Sequence, residues 1–335
     1  MRRTWMRYRN TSRRESPFMP LRSSRRFWRS RSPRIANVPG TAALPRILLL
    51  VTAAILLLGG CGTPRLPEED AGDPARPEPA RHENLPDSFI PHPDFELTLG
   101  ELRSLTMDLS GDIRGMILAR PQAFLDDVAE ALREPPELLW LVDRQHPLPA
   151  DYVPEDLVRL ERYADRLTLN REDLSLRLIL MPDLLAMAEA AAQAGIVLDL
   201  SSTYRSYRYQ EWLFEYWVEQ IGLERAERSS ARPGTSQHQL GTAIDFGSIT
   251  GPFAEHPAGK WLAANASAYG FSLSYPRGYE EITGYIFEPW HFRYISRAGT
   301  RLEKRYFGGI QQFLLEFWHD AGDTFRQRHR PAGQH

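Results

Sequence analysis

The sequence lacks several features that would place the chain in common classes of protein. It has a single cysteine, Cys61, so an internal disulfide is excluded. Long apolar runs are also lacking, because the run at residues 47–58 has about a dozen residues and a spanning helix needs roughly 20. The first 46 residues hold 13 of the 41 basic residues but one of the 43 acidic residues. The remainder is therefore acidic, which argues against nucleic acid as a partner.

The apolar run has the length of a signal-peptide core and ends in two glycines before Cys61. Small residues before a cysteine match the bacterial lipobox, in which the cysteine is lipidated and becomes the new N-terminus. The alternative is an uncleaved membrane anchor with an incidental cysteine. We predict a leader at residues 1–60 and a lipid-anchored lipoprotein of the cell envelope, facing the periplasm or the exterior. The arginine-rich start is long for a leader, so initiation nearer Val38 is an alternative.

Residues 61–88 are dense in proline, acid and arginine and have few large apolar side chains. Such a segment cannot bury enough surface to fold. We predict a disordered tether between the lipid and a folded domain. By the square-root scaling of disordered chains, its reach is on the order of 30 Å.

The rest of the chain divides into three predicted parts. Residues 89–140 have apolar positions every three or four residues and predict a helical extension, either packed on the main domain or a separate interaction module. Residues 141–296 mix helix and strand patterns, with an alanine-rich helix that ends near Gly195. This order predicts an α+β fold with a small, mostly antiparallel sheet and flanking helices. Residues 297–335 predict a C-terminal helical tail.

A candidate metal site lies in the segment "SQHQLGTAIDF", residues 236–246. It places His238 seven positions before Asp245, among small and apolar residues. A catalytic zinc site usually has three protein ligands and one open position for water. His291 is the third candidate, because it lies in the predicted strand "FEPWHFRY", three residues after Glu288.

Hydrolysis at a metal also needs a group that moves protons, and Glu288 is the candidate. Arg205, at the end of a predicted strand, could hold an oxyanion or a substrate carboxylate. Gln210 and Ser236 add polar groups nearby. Each residue alone is also explained by an ordinary structural role, such as capping a turn or forming an ion pair at the surface. The functional interpretation depends on their joint occurrence in three segments.

The segment "SQHQLGTAIDF" matches the Ser-x-His-x-x-Gly-x-Ala-x-Asp signature of zinc metallopeptidases that include the VanY-type D-alanyl-D-alanine carboxypeptidases. That group shares a core with the D-Ala-D-Ala dipeptidases and the Hedgehog signalling domain. The segment "EPWHFRY" resembles the second signature of the family, and "YRSYRYQ" resembles its upstream arginine segment. The stretch "HPLPADYVPEDLV" is similar to the start of the VanY-type domain. The resemblance spans residues 141–295.

The resemblance implies a fold, a cofactor and residue roles. It implies a Hedgehog/D-Ala-D-Ala peptidase-like core and a Zn²⁺ ion held by three ligands, His238, Asp245 and His291. It implies that Glu288 is the general base and that Arg205 steadies the carbonyl oxygen or the substrate. Gln210 and Ser236 would line the pocket for the terminal D-alanine.

The implied activity is a zinc D-alanyl-D-alanine carboxypeptidase that acts on peptidoglycan stem peptides. Alternatives within the same chemistry are an L,D-carboxypeptidase and an endopeptidase that cuts crosslinks. A different class is a non-catalytic peptidoglycan-binding lipoprotein. The presence of Glu288 favours an enzyme, because a binding protein has no need of a base beside the metal.

Overall fold

The computed structural model describes residues 85–331. The predicted leader, Cys61 and all but the last few residues of the predicted tether lie outside the described residues. Contacts divide the chain into residues 1–70 and residues 71–335, and the described residues belong to the second unit. Within residues 85–331, each helix is too short or too polar to cross a membrane.

Helices dominate both ends of the described chain, and short strands lie between them. The helices are α1 Leu99–Leu105, α2 Gly111–Ala119, α3 Pro121–Leu132, α4 Met181–Gln193, α5 Tyr207–Ile221, α6 Leu223–Ser229, α7 Pro257–Asn265, α8 Glu280–Thr283, α9 Ser296–Tyr306 and α10 Gln311–Arg328. The strands are β1 Leu157–Arg159, β2 Thr168–Leu169, β3 Ser175–Arg177, β4 Asp199–Ser202, β5 Ala243–Phe246, β6 Phe271–Leu273 and β7 His291–Tyr294.

Five of these strands form the main sheet, in the order β2-β4-β5-β7-β6. β2 pairs parallel with β4, and the other neighbours in this sheet pair antiparallel. β1 and β3 form a separate antiparallel pair. The predicted fold class, an α+β fold with a small and mostly antiparallel sheet, is confirmed.

One face of the sheet packs on helices α4 and α7 to form a hydrophobic core. Ile244 and Phe246 of β5 contribute to this core, and every residue of β5 is buried. Side chains alternate between the two faces of a strand. Asp245 therefore points to the opposite face of the sheet from its two apolar neighbours, and that face carries the polar site.

The predicted helical extension and C-terminal tail share one core. Buried apolar side chains of α1, α2 and α3 form a single cluster with those of α9 and α10. Phe124 of α3 makes edge contacts with Phe317 and Phe325 of α10, at ring-centroid distances of 6.1 and 6.0 Å. The two ends of the described chain thus form one helical layer. Within the described residues, the extension therefore packs against the C-terminal tail.

The predicted strand "FEPWHFRY", residues 287–294, is shorter in the structure than its pattern indicates. The strand is confined to β7, and the preceding residues turn. Pro289 has no N–H to donate to a neighbouring strand. The N–H of His291 instead donates to the carbonyl of Glu288, at 3.1 Å, and closes a turn just before the strand begins.

Candidate metal centre

Three segments of the chain place the predicted metal ligands together. β5 pairs with β7 in a register that puts Asp245 directly opposite His291. His238 lies on the short 3₁₀ turn Gln237–Leu240, just before β5. One ligand atom from each of the three side chains lies within 4.8 Å of the others, and all three residues are buried.

Local sequence fixes the turn that carries His238. Ser236 caps this turn, because its hydroxyl accepts a hydrogen bond from the N–H of His238 at 3.3 Å. The turn ends at Gly241 in the left-handed region, with φ +68°. A Cβ at this position would lie 2.9 Å from the side chain of Leu157. Only glycine satisfies both the backbone angle and the close approach.

The imidazole of His238 is neutral and oriented for metal binding. Its Nδ1 lies 2.6 Å from the carbonyl oxygen of Thr203, which can only accept, so Nδ1 carries the hydrogen. Its Nε2 is buried, has no hydrogen-bond partner among the described residues and lies 3.2 Å from Asp245 Oδ2. Burial, followed by the charge of Arg205, lowers the pKa of His238 to about 4. The unprotonated Nε2 therefore faces the other ligands.

Asp245 is a carboxylate in spite of its burial. Burial by itself would raise the pKa of this carboxyl, but the contacts with His238 and His291 outweigh it and hold the pKa well below its usual value. Its two oxygens face different partners. Oδ1 lies 3.0 Å from His291 Nδ1, and Oδ2 faces His238.

Glu288 lies beside this group without belonging to it. One of its carboxylate oxygens is 3.7 Å from His291 Nδ1, and the residue is buried. Burial, followed by the negative charge of Asp245, raises the pKa of Glu288 well above its usual value, while Arg205 opposes the shift. A bound divalent cation would also oppose it. A carboxyl group with a raised pKa is suited to carrying a proton near neutral pH.

The structure brings Arg205 to the centre, whereas the contacts of Gln210 are with the segment at residues 230–231. Arg205 follows β4, and its Nη2 is 3.7 Å from Asp245 Oδ2. Gln210 is buried on α5, where its amide donates to the carbonyl of Ala231 at 2.7 Å and its Oε1 has no partner within the described chain. Ser236 serves as the cap described above. The predicted substrate-binding roles of Gln210 and Ser236 stay predictions.

Two residues that orient the ligands were not found by sequence reasoning. Thr203 acts through its backbone carbonyl, which leaves no side-chain signal in a sequence. Gln237 lies inside the signature segment, and its Oε1 is 3.2 Å from His291 Nε2. That contact joins two segments 54 positions apart, so spacing alone does not reveal it.

The three ligands fit a zinc ion. Two imidazoles and one carboxylate leave a fourth position open for water, which is the arrangement of a catalytic zinc site. The buried Nε2 of His238 has no hydrogen-bond partner within residues 85–331 and is the kind of atom that a bound metal satisfies. Both histidines also have their second ring nitrogen held by an oxygen acceptor, as metal-bound histidines usually do.

Comparisons with known proteins point to one family. The family model VanY, described as D-alanyl-D-alanine carboxypeptidase, matches residues 173–297. The YodJ protein of Bacillus subtilis (strain 168) is 34% identical over 188 residues, which are 52% of this chain and 66% of that protein. The bifunctional D-Ala-D-Ala dipeptidase and D-Ala-D-Ala carboxypeptidase VanXYC of Enterococcus gallinarum is 32% identical over 201 residues, covering 56% of this chain and 97% of that protein.

Among solved structures, a mutant of the vancomycin resistance D,D-pentapeptidase VanY in complex with Zn(II) is 30% identical, with a TM-score of 0.44. The overlap covers 54% of this chain and 98% of that one. The chain matches nearly the whole of VanXYC, and its metal ligands lie within the segment that the VanY model matches. The His238, Asp245 and His291 group supplies the ligand set predicted for Zn²⁺. The chain belongs to the VanY family of D-alanyl-D-alanine carboxypeptidases.

Proposed function

We propose that this chain is a zinc-dependent D,D-carboxypeptidase that removes the terminal D-alanine from peptidoglycan stem peptides. The observation that carries the proposal is the position of Glu288, buried 3.7 Å from His291 but outside the ligand group. A general base must lie close to the metal without occupying a ligand position. The family of the chain supports the substrate, because its members are named for D-alanyl-D-alanine.

In the proposed reaction, His238, Asp245 and His291 hold the zinc ion. When bound, zinc supplies Lewis-acid chemistry and lowers the pKa of water at the site. Glu288 accepts the proton of the attacking water and then donates it to the departing amine of D-alanine. Arg205 donates hydrogen bonds to the carbonyl oxygen that gains negative charge, or to the terminal carboxylate of the substrate.

Digestion of defined muropeptides tests this function. We expect the full chain with zinc to convert a pentapeptide stem to a tetrapeptide and one equivalent of D-alanine, with products resolved by mass. Loss of D-alanine from a tetrapeptide would identify an L,D-carboxypeptidase, and cleavage of crosslinked dimers would identify an endopeptidase. The matched control is Glu288→Gln, which keeps the ligands. Binding of muropeptides with no product from any substrate would identify a non-catalytic binding protein.

We also propose that the chain is a lipoprotein of the cell envelope, anchored through Cys61. Support comes from the lipobox-like sequence, the signal-like apolar run and the peptidoglycan substrate, which lies outside the inner membrane. Metabolic labelling with an alkyne fatty acid tests the anchor. The wild type should be labelled and sediment with membranes, whereas Cys61→Ala should be unlabelled. Equal labelling of the two would remove Cys61 from the proposal.

A further inference from the structure

A buried series of hydrogen bonds connects the C-terminal helix α10 to the metal ligand His291. Gln311, the first residue of α10, donates through Nε2 to the carbonyl oxygen of Ser272 at 3.3 Å. Gln237 donates through its own Nε2 to Gln311 Oε1 at 3.1 Å. Gln237 Oε1 then lies 3.2 Å from His291 Nε2. All four of these residues are buried.

The direction of each hydrogen bond between Ser272 and His291 follows from one backbone group. A carbonyl oxygen can only accept, so the amide nitrogen of Gln311 must face Ser272. The oxygen of Gln311 must then face Gln237, which forces the amide nitrogen of Gln237 towards Gln311. The oxygen of Gln237 is left to face His291, and it accepts the hydrogen of Nε2.

A second contact agrees with this orientation of the Gln237 amide. The hydroxyl of Ser274 donates to Gln237 Oε1 at 2.7 Å. With the hydrogen of His291 on Nε2, the lone pair of the ring is on Nδ1. That nitrogen faces Asp245 Oδ1 at 3.0 Å, on the side where the metal ligands converge.

We propose that Gln237 and Gln311 are positioning residues of the metal centre, which set the tautomer and direction of His291 from the C-terminal helix. Gln311 lies beyond residues 173–297, which the family model matches. The helical tail is therefore part of the zinc site of this chain. The proposal rests on the zinc centre of the proposed function but is independent of the substrate.

Removal of Gln311 should weaken zinc binding through the tautomer of His291. Without the acceptor on Gln311, the Gln237 amide can rotate and present its nitrogen to His291 Nε2. That arrangement favours the tautomer with its hydrogen on Nδ1, and a protonated Nδ1 cannot ligate the metal. Outer contacts of this kind typically change metal affinity by about 10–100-fold.

Zinc affinity, measured by chelator competition on the full chain, tests the proposal. Gln311→Met keeps an unbranched side chain and removes both polar groups, and we expect zinc binding to weaken about tenfold. The matched control is Gln312→Met, on the same turn, because Gln312 donates to Asp143 and Glu316 instead. The control should bind zinc within about twofold of the wild type. An equal loss in both variants, or in neither, would overturn the proposal.

A spectroscopic readout and a second position complete the test. Long-range ¹⁵N NMR of the zinc-loaded chain should show the His291 hydrogen on Nε2, hydrogen-bonded to Gln237, in the wild type and a weaker hydrogen bond at Nε2 in Gln311→Met. Gln237→Glu keeps an acceptor for His291 and should retain zinc, whereas Gln237→Met should lose affinity. An unchanged Nε2 hydrogen bond in all variants would refute the positioning role. Absence of zinc from the wild type would instead refute the proposed function.

Discussion

Asp245 and His291 face each other across the β5–β7 pair, with Asp245 Oδ1 3.0 Å from His291 Nδ1. Residues directly opposite on antiparallel strands point to the same face of the sheet. A slip of one residue in this register would replace His291 with an apolar neighbour and turn it to the other face. The pairing of two strands therefore assembles the two ligands before any metal binds.

Loss of one ligand should remove both metal and activity. In His238→Ala and Asp245→Ala, two ligands remain, and zinc affinity should fall by more than the 10–100-fold typical of outer contacts. Zinc content after dialysis, measured beside turnover, checks this. Stoichiometric zinc in either variant, at wild-type affinity, would exclude that residue from the ligand set.

Glu288→Ala should separate metal binding from catalysis. Since Glu288 lies outside the ligand group, the variant should retain one equivalent of zinc. Removal of a general base typically lowers the rate by about 10²–10⁴-fold. Turnover of a pentapeptide and zinc content, measured on one sample, provide the check. A metal-free variant would indicate that Glu288 holds the site together, and full turnover would assign the base to another group.

Arg205→Lys should be poorly tolerated although it keeps the positive charge. A lysine cannot reproduce the planar, bidentate hydrogen bonding of a guanidinium. We expect kcat/KM for the pentapeptide to fall about 10²–10³-fold, as for loss of one oxyanion donor. This loss should come mainly from a lower kcat if Arg205 contacts the transition state. It should come mainly from a higher KM if Arg205 binds the substrate carboxylate. Wild-type kinetics would remove Arg205 from the mechanism.

The sheet and the ligand set could be predicted because their signals are local. The segment from Ser236 to Phe246 contains a turn, a required glycine and a buried strand in one short stretch. The helix α4 has alanine-rich turns and ends two residues before Gly195, which has φ +74°. In both places the element predicted from the sequence pattern is the element found in the structure.

The joint core of the two chain ends could not be predicted from the same patterns. Apolar periodicity in α3 and α10 shows that each helix buries one face, but not which partner covers it. The hydrogen bonds from Gln311 to His291 could not be predicted either, because they depend on where α10 packs. Contacts between distant segments leave no spacing rule in a single sequence.

Asp127→Asn should loosen the contact between the extension and the tail. Asp127 is buried on α3 and accepts hydrogen bonds from Arg301 and Arg305 of α9, at 2.7 and 2.9 Å. Hydrogen bonds to charged groups are worth about 1.5–3 kcal/mol, so the free energy of unfolding should fall by roughly 2 kcal/mol. Chemical denaturation measures it. The control Glu130→Gln, in an exposed pair on α3, should change stability by less than about 1 kcal/mol.

Glu303→Gln should change how stability depends on pH. Burial raises the pKa of Glu303 from 4.5 to about 7, although Ser272 donates to its Oε1 at 2.9 Å. Between those values the folded chain keeps a proton that the unfolded chain releases, so this residue stabilises the fold at low pH and the effect is lost as pH rises through about 7.

Glutamine carries no titrating proton at this position, so the variant should match the wild type near pH 4 and be more stable at pH 8. The shift of the Glu303 pKa sets an upper limit of about 3 kcal/mol on the gain. Denaturant titrations across this pH range measure the difference in unfolding free energy. The exposed control Glu281→Gln should follow the wild-type curve. A constant difference between Glu303→Gln and the wild type at all pH values would show that Glu303 is ionised in the folded chain, with its charge stabilised in the helical layer.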